Sequence, residues 1–123
     1  MSVHEGPASI SRAGRMTELA PGMILSNEPG FYVPGEYGIR LENLLLVQAI
    51  EPKRLRFEVL TLAPFDRRLV DFELLTAGEA AWLDAYHARV LAEIGPLLEV
   101  TAGEWLRGSC GAVSPGKACV AVV

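Results

Sequence analysis

The stretch SNEPGFYVPGEYGIRLEN, residues Ser26–Asn43, decides how the first half of this chain folds. Its Pro34-Gly35 pair predicts a tight turn, because proline restricts φ and glycine accepts the positive φ that such turns need. Two of its carboxylates are unusual for a sheet: Glu28 stands directly before a proline, and Glu42 lies in the middle of a predicted strand. A strand needs apolar surface at such a position, so these glutamates require a chemical explanation.

Strands are predicted on both sides of the turn. Short apolar runs indicate strands at Met23–Asn27 and Phe57–Leu62, and the strongest strand pattern covers Gly38–Ala49. Apolar residues are nearly continuous from Leu44 to Val47, which suggests burial on both faces. Because the strands are close in sequence and joined by short turns, we expect them to pair antiparallel.

In the second half of the chain, the apolar residues recur at the spacing of α-helices. The letters TAGE at Thr76–Glu79 have the form of a capping box, and apolar residues follow at helical spacing until Gly95-Pro96. The same four letters at Thr101–Glu104 predict a second, shorter helix. From Gly108 onward the small-residue composition predicts a poorly anchored tail or a short stray strand. We therefore expect an α+β fold with an antiparallel sheet, one long helix and one short helix.

Composition excludes several classes of protein. The 123 residues are 50% hydrophobic and 21% charged, which is typical of a globular domain or a piece of one. The net charge of -4 argues against nucleic acid or an anionic membrane as the partner, and no apolar run reaches the roughly 18 residues that span a bilayer. The N-terminus lacks the pattern of a secretory signal, and Cys110 and Cys119 are too isolated to predict a zinc site. We expect a reduced, cytoplasmic protein.

Two explanations of Glu42 are open. Side chains alternate along a strand, so Glu42 is expected to share a face with Leu44 and Leu46, and these leucines predict that the face is buried. A buried charge has to be paired or bound to a metal. One explanation is an ion pair between Arg40 and Glu42. The other is a cation site shared with Glu28, since a chain reversal could bring both carboxylates to one place, where oxygen ligands suit Mn²⁺ or Mg²⁺ and Zn²⁺ is a further option.

The histidines and the large aromatic residues give weaker signals. His4 stands beside a turn, and on its surroundings alone it is either an exposed loop residue or part of a site. His87 lies in the predicted long helix, where we expect it to be solvated or partly packed. Trp82, Tyr86 and Trp105 have helical core spacing and are interpreted as packing residues. Ser9, Ser11 and Ser26 have no histidine and acid partners at positions that would indicate a nucleophile.

Four segments occur together in a recognisable order. They are VHEGPASIS from Val3, LAPGMILSNEPGFYVPGEYGIRLENLLLV from Leu19, FEVLTLAPFDRRLVD from Phe57 and WLDAYHARVLAEIGPLL from Trp82. In this order and at these separations they resemble the C-terminal part of an Xaa-Pro aminopeptidase (aminopeptidase P), of the metallopeptidase group with the pita-bread fold. The resemblance assigns residues 1–107 to the C-terminal part of a pita-bread catalytic domain and leaves residues 108–123 as an unmatched tail.

The resemblance implies a curved antiparallel sheet and a catalytic reaction, the metal-assisted hydrolysis of the N-terminal Xaa-Pro bond of peptides. The reaction would use two divalent cations, for which manganese is the first expectation and zinc the alternative. Glu28 matches the glutamate of the family's NEPG segment and Glu42 that of its RxEN segment, and both are metal ligands in the family. His4 matches a histidine that contacts the substrate, and Arg40 matches an arginine that supports the ligands.

Two aspartates and a histidine that complete the family's ligand set have no counterpart in these residues. We therefore expect a truncated chain that binds metal poorly and is inactive by itself, with an upstream half or a second copy of the chain (a homo-oligomer) as its partner. The alternatives are a catalytically dead remnant, or an interaction module that binds a partner through an exposed sheet edge. The carboxylates of Glu28 and Glu42 are expected to lie within about 6 Å of each other or of a shared cation.

Overall fold

The computed structural model describes residues 17–112, which form two compact units that divide between Thr61 and Leu62. Five strands are described in the first unit: β1 (Ile24–Asn27), β2 (Gly30–Val33), β3 (Tyr37–Arg40), β4 (Asn43–Glu51) and β5 (Arg54–Val59). The second unit has helices α1 (Ala77–Ile94) and α2 (Val100–Ser109), and 3₁₀ turns at Arg67–Leu69 and Gly95–Leu97. The predicted α+β class is confirmed. None of the described helices combines the length and the apolar character that crossing a membrane requires.

The larger sheet has three strands in the order β1-β4-β5, and both pairs are antiparallel as predicted. Its core-facing side chains include Leu25, Leu45 and Val47, which are almost inaccessible to solvent. Leu44 is 43% exposed, so the expectation that Leu44 and Leu46 mark the buried face is wrong. Apolar residues occupy both sets of alternating positions in β4, and the sequence therefore does not reveal which set faces the core.

Strands β2 and β3 form a separate antiparallel pair. The turn between them lies at the predicted Pro34-Gly35 pair, where the Glu36 amide donates to the Val33 carbonyl at 3.0 Å. Gly35 has a φ of 78°, a conformation that glycine adopts at little cost. The local turn chemistry is therefore sufficient to explain this hairpin.

The predicted continuous strand Gly38–Ala49 is interrupted at residues 41–42. Up to Arg40 the chain pairs with β2, and from Asn43 onward it pairs with β1. The two residues in between carry the chain from one sheet to the other. Glu42 therefore lies in a link between strands, and the prediction that it lies in the middle of a strand is wrong.

Helix α1 begins at the capping box that the sequence predicts. The Glu79 amide donates to the Thr76 hydroxyl at 3.3 Å, and the Thr76 amide donates to the Glu79 carboxylate at 2.8 Å. The helix ends at Ile94, directly before the Gly95-Pro96 pair. Its buried residues are Leu83, Tyr86, His87 and Val90.

His87 is fully buried, so the expectation of a solvated or partly packed side chain is wrong. Its Nε2 accepts a hydrogen bond from the Phe65 amide at 3.0 Å. The proton of the neutral ring is therefore on Nδ1, an atom without a hydrogen-bond partner within residues 17–112. Burial lowers the pKa of His87, the Arg67 guanidinium lowers it further, and Asp84 acts in the opposite direction. The neutral imidazole is thus a structural element of the second unit.

Helix α2 has Glu99 as its N-cap, and the predicted capping role of Thr101 is wrong. Glu99 follows the 3₁₀ turn with extended backbone, and its carbonyl accepts from the Gly103 amide at 2.8 Å, which places Thr101 inside the first turn. The helix continues through Gly108 to Ser109, and Cys110 after it is buried. This part of the expected loose tail is therefore packed.

The two TAGE motifs form a matched pair for a stability measurement. Thr76→Ala is expected to lower the free energy of unfolding by about 1 kcal/mol, because an amide of the first turn loses its acceptor. Thr101→Ala is expected to change it by less than about 0.5 kcal/mol. Urea unfolding followed by tryptophan fluorescence measures both, since Trp82 and Trp105 belong to the second unit. Equal losses in the two variants would contradict the assignment of the caps.

Candidate metal-binding site

Glu28 and Glu42 lie where β1 ends and β4 begins. The last paired residues of these two strands are Asn27 and Asn43, so the two glutamates are the next residues outward along the chain. The antiparallel register, carried one step further, sets them opposite each other. The chain reversal between them is the β2–β3 hairpin. The fold thus provides the reversal that the sequence analysis required of a shared site.

The Glu28 carboxylate accepts hydrogen bonds from the side chains of Arg40 and Ser26. Its Oε2 accepts from Arg40 Nη1 at 2.8 Å, and its Oε1 accepts from the Ser26 hydroxyl at 2.8 Å. The exposed fraction of the side chain is 18% for Glu28 and 48% for Arg40. The carboxylate is therefore fixed in orientation at a largely buried position, as a ligand must be.

Tyr32 holds Arg40 from a second direction, because its hydroxyl accepts from Arg40 Nε at 3.0 Å. The Tyr32 ring lies over two glycines of the hairpin. A Cβ at Gly38 would be 2.5 Å from the ring Cδ1, and a Cβ at Gly30 would be 2.6 Å from the hydroxyl oxygen. Both positions must therefore be glycine for the ring to lie there, and the ring in turn directs the guanidinium toward Glu28.

Arg40 is the positive centre of this group. Its pKa is raised above the usual value, first by the hydrogen bond to Tyr32, and further by the negative charges of Glu28 and Glu42. The effect of Glu42 is the smallest of these, so Glu28 is the principal carboxylate partner of Arg40.

The structure changes the predicted pairing of the site residues. In the described part of the chain, the ion pair of Arg40 is with Glu28, and the predicted pair with Glu42 is not found. The reason is that Arg40 ends β3 opposite Gly30, which brings it close to Glu28. His4 lies outside the described residues, so its role stays a prediction, as does the separation of the two carboxylates.

The two glutamates supply some of the ligands that a hard divalent cation requires. Glu28 and Glu42 supply carboxylate oxygens, which are the ligands that Mn²⁺ and Mg²⁺ prefer. No group of three or more His, Cys, Asp or Glu side chains that could hold a metal occurs in residues 17–112. The two glutamates therefore fit as members of a larger ligand set.

Ser26 and Tyr32 are the contacts of this site that the sequence analysis missed. Ser26 is two residues before Glu28, and this spacing in an extended chain directs both side chains to one face. Tyr32 pairs with Gly38 across the hairpin, and a glycine in a strand signals close approach by another group. A search of the sequence for metal ligands does not find Ser26 or Tyr32, because neither side chain is itself a predicted ligand.

Comparisons with known proteins agree along most of the chain. The sequence profile of metallopeptidase family M24 matches residues 1–49, and that of the C-terminal region of M24 peptidases matches residues 53–113. Aminopeptidase P2 of Arabidopsis thaliana is 50% identical over 115 residues, which cover 86% of this chain and 16% of the relative. A probable Xaa-Pro aminopeptidase P of Laccaria bicolor is 41% identical over 121 residues, which cover 89% of this chain and 19% of the relative.

A solved structure has the same fold. It is the X-prolyl aminopeptidase of Caenorhabditis elegans, described as a cytosolic enzyme with a di-nuclear active site. Its TM-score is 0.79 at 38% sequence identity, covering 90% of this chain and 20% of that chain. The predicted pita-bread fold of the C-terminal part is thereby confirmed. The chain spans 16% and 19% of the length of the two curated relatives above.

Proposed function

Because this chain belongs to metallopeptidase family M24, we propose that it is the C-terminal segment of a dinuclear-metal aminopeptidase that hydrolyses the N-terminal Xaa-Pro bond of peptides. The observation that carries the proposal is the position of Glu28 and Glu42, which directly follow and precede the facing ends of two paired strands. The proposed substrates are peptides with proline as the second residue. The proposed location is the cytoplasm, in line with the cytosolic enzyme of Caenorhabditis elegans.

Each residue of the site has a proposed role. Glu28 and Glu42 are metal ligands in the complete enzyme, where two divalent cations, manganese first and zinc as the alternative, would supply Lewis acidity toward the scissile carbonyl. Arg40 orients Glu28 through their ion pair, and Tyr32 orients Arg40. His4 contacts the substrate and moves a proton at the scissile bond. We expect the chain alone to bind metal weakly and to hydrolyse no peptide, because the two glutamates are only part of a ligand set.

A chimeric enzyme tests this proposal. In it, the 123 residues of this chain replace the matching C-terminal segment of Arabidopsis thaliana aminopeptidase P2. We expect manganese-dependent release of the N-terminal residue from a tripeptide with proline in second place. The same tripeptide with alanine in second place should be cleaved roughly 100-fold less efficiently. A chelator should remove the activity, and added Mn²⁺ should restore it.

The control is the Arabidopsis thaliana enzyme cut before the replaced segment, which is expected to be inactive. Gel filtration and circular dichroism establish that the chimeric enzyme is folded. A folded chimeric enzyme without activity in either Mn²⁺ or Zn²⁺ would contradict the proposal. It would favour the alternative of a catalytically dead remnant or an interaction module.

A further inference from the structure

Ser26 donates its hydroxyl hydrogen to Glu28 Oε1 at 2.8 Å. The two residues are separated by one position at the end of β1, so their side chains face the same way. The strand is held by its antiparallel pairing to β4, in which Ser26 is opposite Leu44, and by the buried side chain of Leu25. The hydroxyl therefore projects from a fixed part of the sheet.

Arg40 and Ser26 differ in charge as hydrogen-bond partners of the Glu28 carboxylate. Arg40 binds Oε2 with a cationic group, and a metal ion that approaches Glu28 repels that group. The Ser26 hydroxyl is neutral, so it can keep its hydrogen bond to Oε1 when a cation is present. Each carboxylate oxygen accepts at more than one lone pair, and a hydroxyl bond and a metal bond to one carboxylate are therefore compatible.

We propose that Ser26 is a positioning residue for Glu28, whose hydroxyl holds the carboxylate in the orientation that binds a divalent cation. The inference rests on the proposed function, because it takes Glu28 as a metal ligand. Hydrogen-bond partners of ligating groups influence metal affinity strongly although they do not touch the metal. The physical reason is that a second hydrogen bond, on Oε1, reduces the number of rotamers that Glu28 samples beyond the effect of its ion pair with Arg40, so the carboxylate is already ordered before the cation arrives.

The first experiment measures the order of the Glu28 side chain in the 123-residue chain without metal. Three-bond NMR couplings across χ1 and χ2 report how many rotamers Glu28 populates. Ser26→Thr keeps a hydroxyl, and Ser26→Val has the same shape without one, so this pair isolates the hydrogen bond. We expect a single rotamer in the wild-type chain and in Ser26→Thr. In Ser26→Val, where the ion pair with Arg40 remains, we expect the couplings to shift toward the averaged values.

Ser109→Ala, in helix α2 of the second unit, is the control for a serine substitution and should leave the Glu28 couplings unchanged. The amide spectrum of each variant shows whether the β1–β4 pairing is retained. The proposal is overturned if Glu28 keeps one rotamer in Ser26→Val, or if it is already averaged in the wild-type chain.

The second experiment measures Mn²⁺ binding to the metal-free chimeric enzyme by calorimetry. Ser26→Val is expected to weaken the affinity for Mn²⁺ by about 10–100-fold, the usual effect of removing a partner of a ligand. Ser26→Thr should stay close to the wild-type affinity. Equal affinities for Ser26→Val and Ser26→Thr would also overturn the proposal. A chimeric enzyme without peptidase activity would count against the proposed function alone, because neither the couplings nor the calorimetry requires turnover.

Discussion

Glu42→Gln in the chimeric enzyme is expected to lower kcat/KM for an Xaa-Pro tripeptide by roughly 10²–10³-fold. Glutamine keeps the size of glutamate and removes its negative charge, which weakens the hold on the cation. Metal ions contribute several kcal/mol of charge stabilisation in the transition state, and about 1.4 kcal/mol corresponds to a factor of ten in rate. Glu28→Gln should cause a loss of the same order, because the two carboxylates are proposed to bind as a pair.

Glu36→Gln is the matched control for both substitutions. Glu36 is an exposed residue that follows the Pro34-Gly35 turn, so its carboxylate has no proposed contact with the metal. Steady-state kinetics at a series of Mn²⁺ concentrations separates a loss of metal from a loss of activity at saturating metal. A Glu42→Gln enzyme with the activity of Glu36→Gln would contradict the assignment of Glu42 as a ligand.

His87→Leu is expected to destabilise the second unit by about 1–3 kcal/mol at neutral pH. Leucine fills a similar volume but cannot accept the hydrogen bond from the Phe65 amide, so a partly buried donor is left unsatisfied. Urea unfolding followed by tryptophan fluorescence gives the free energy, since Trp82 and Trp105 both report on this unit. A variant as stable as the wild type would show that this hydrogen bond contributes little.

The same variant tests how stability depends on pH. Burial holds the pKa of His87 below its usual value, so the folded state binds the proton less readily than the unfolded state does. The contribution of His87 is therefore fully present above its unfolded pKa of about 6.5 and is lost as the pH falls below that value. We expect the wild type to lose stability from about pH 7 to pH 5, and His87→Leu to lose less.

Asp84→Asn is the control for this pH dependence. It removes the carboxylate of α1 that raises the pKa of His87, so this pKa should fall further. The variant should therefore lose at least as much stability in acid as the wild type does. If the wild type and His87→Leu have the same slope of stability against pH, another group is responsible for the titration.

Local signals in the sequence predict the turn at Pro34-Gly35 and the long helix well, but they do not predict the strand β2 that precedes this turn. The Pro34-Gly35 turn and the Thr76 cap both depend on contacts within four residues, and both occur where they are predicted. The second TAGE motif shows the limit of such signals. Thr101 has the same following residues as Thr76, but the preceding 3₁₀ turn lets Glu99 begin the helix first. The same tetrapeptide thus caps a helix at Thr76 and lies inside the first helical turn at Thr101, because the backbone that precedes it differs.

Pairing between strands that are distant in sequence determines the features of the fold that the sequence does not predict. The buried side of β4 depends on packing, because Leu44 and Leu45 are equally apolar. The break at residues 41–42 arises where the chain changes its partner strand, and no turn residue marks it. The family resemblance assigned both glutamates and Arg40 to the candidate site, and their roles there stay predictions. The ion pair of Arg40 with Glu28 follows from the β2–β3 register, which the sequence alone does not give.

Anomalous diffraction at the manganese edge from Mn²⁺-loaded crystals of the chimeric enzyme is the most direct test that Glu28 and Glu42 serve one metal centre. We predict a peak with carboxylate oxygens of both residues at about 2.0–2.3 Å. Glu28 and Glu42 turned to opposite sides of the sheet, with no metal peak that contacts both, would contradict the account.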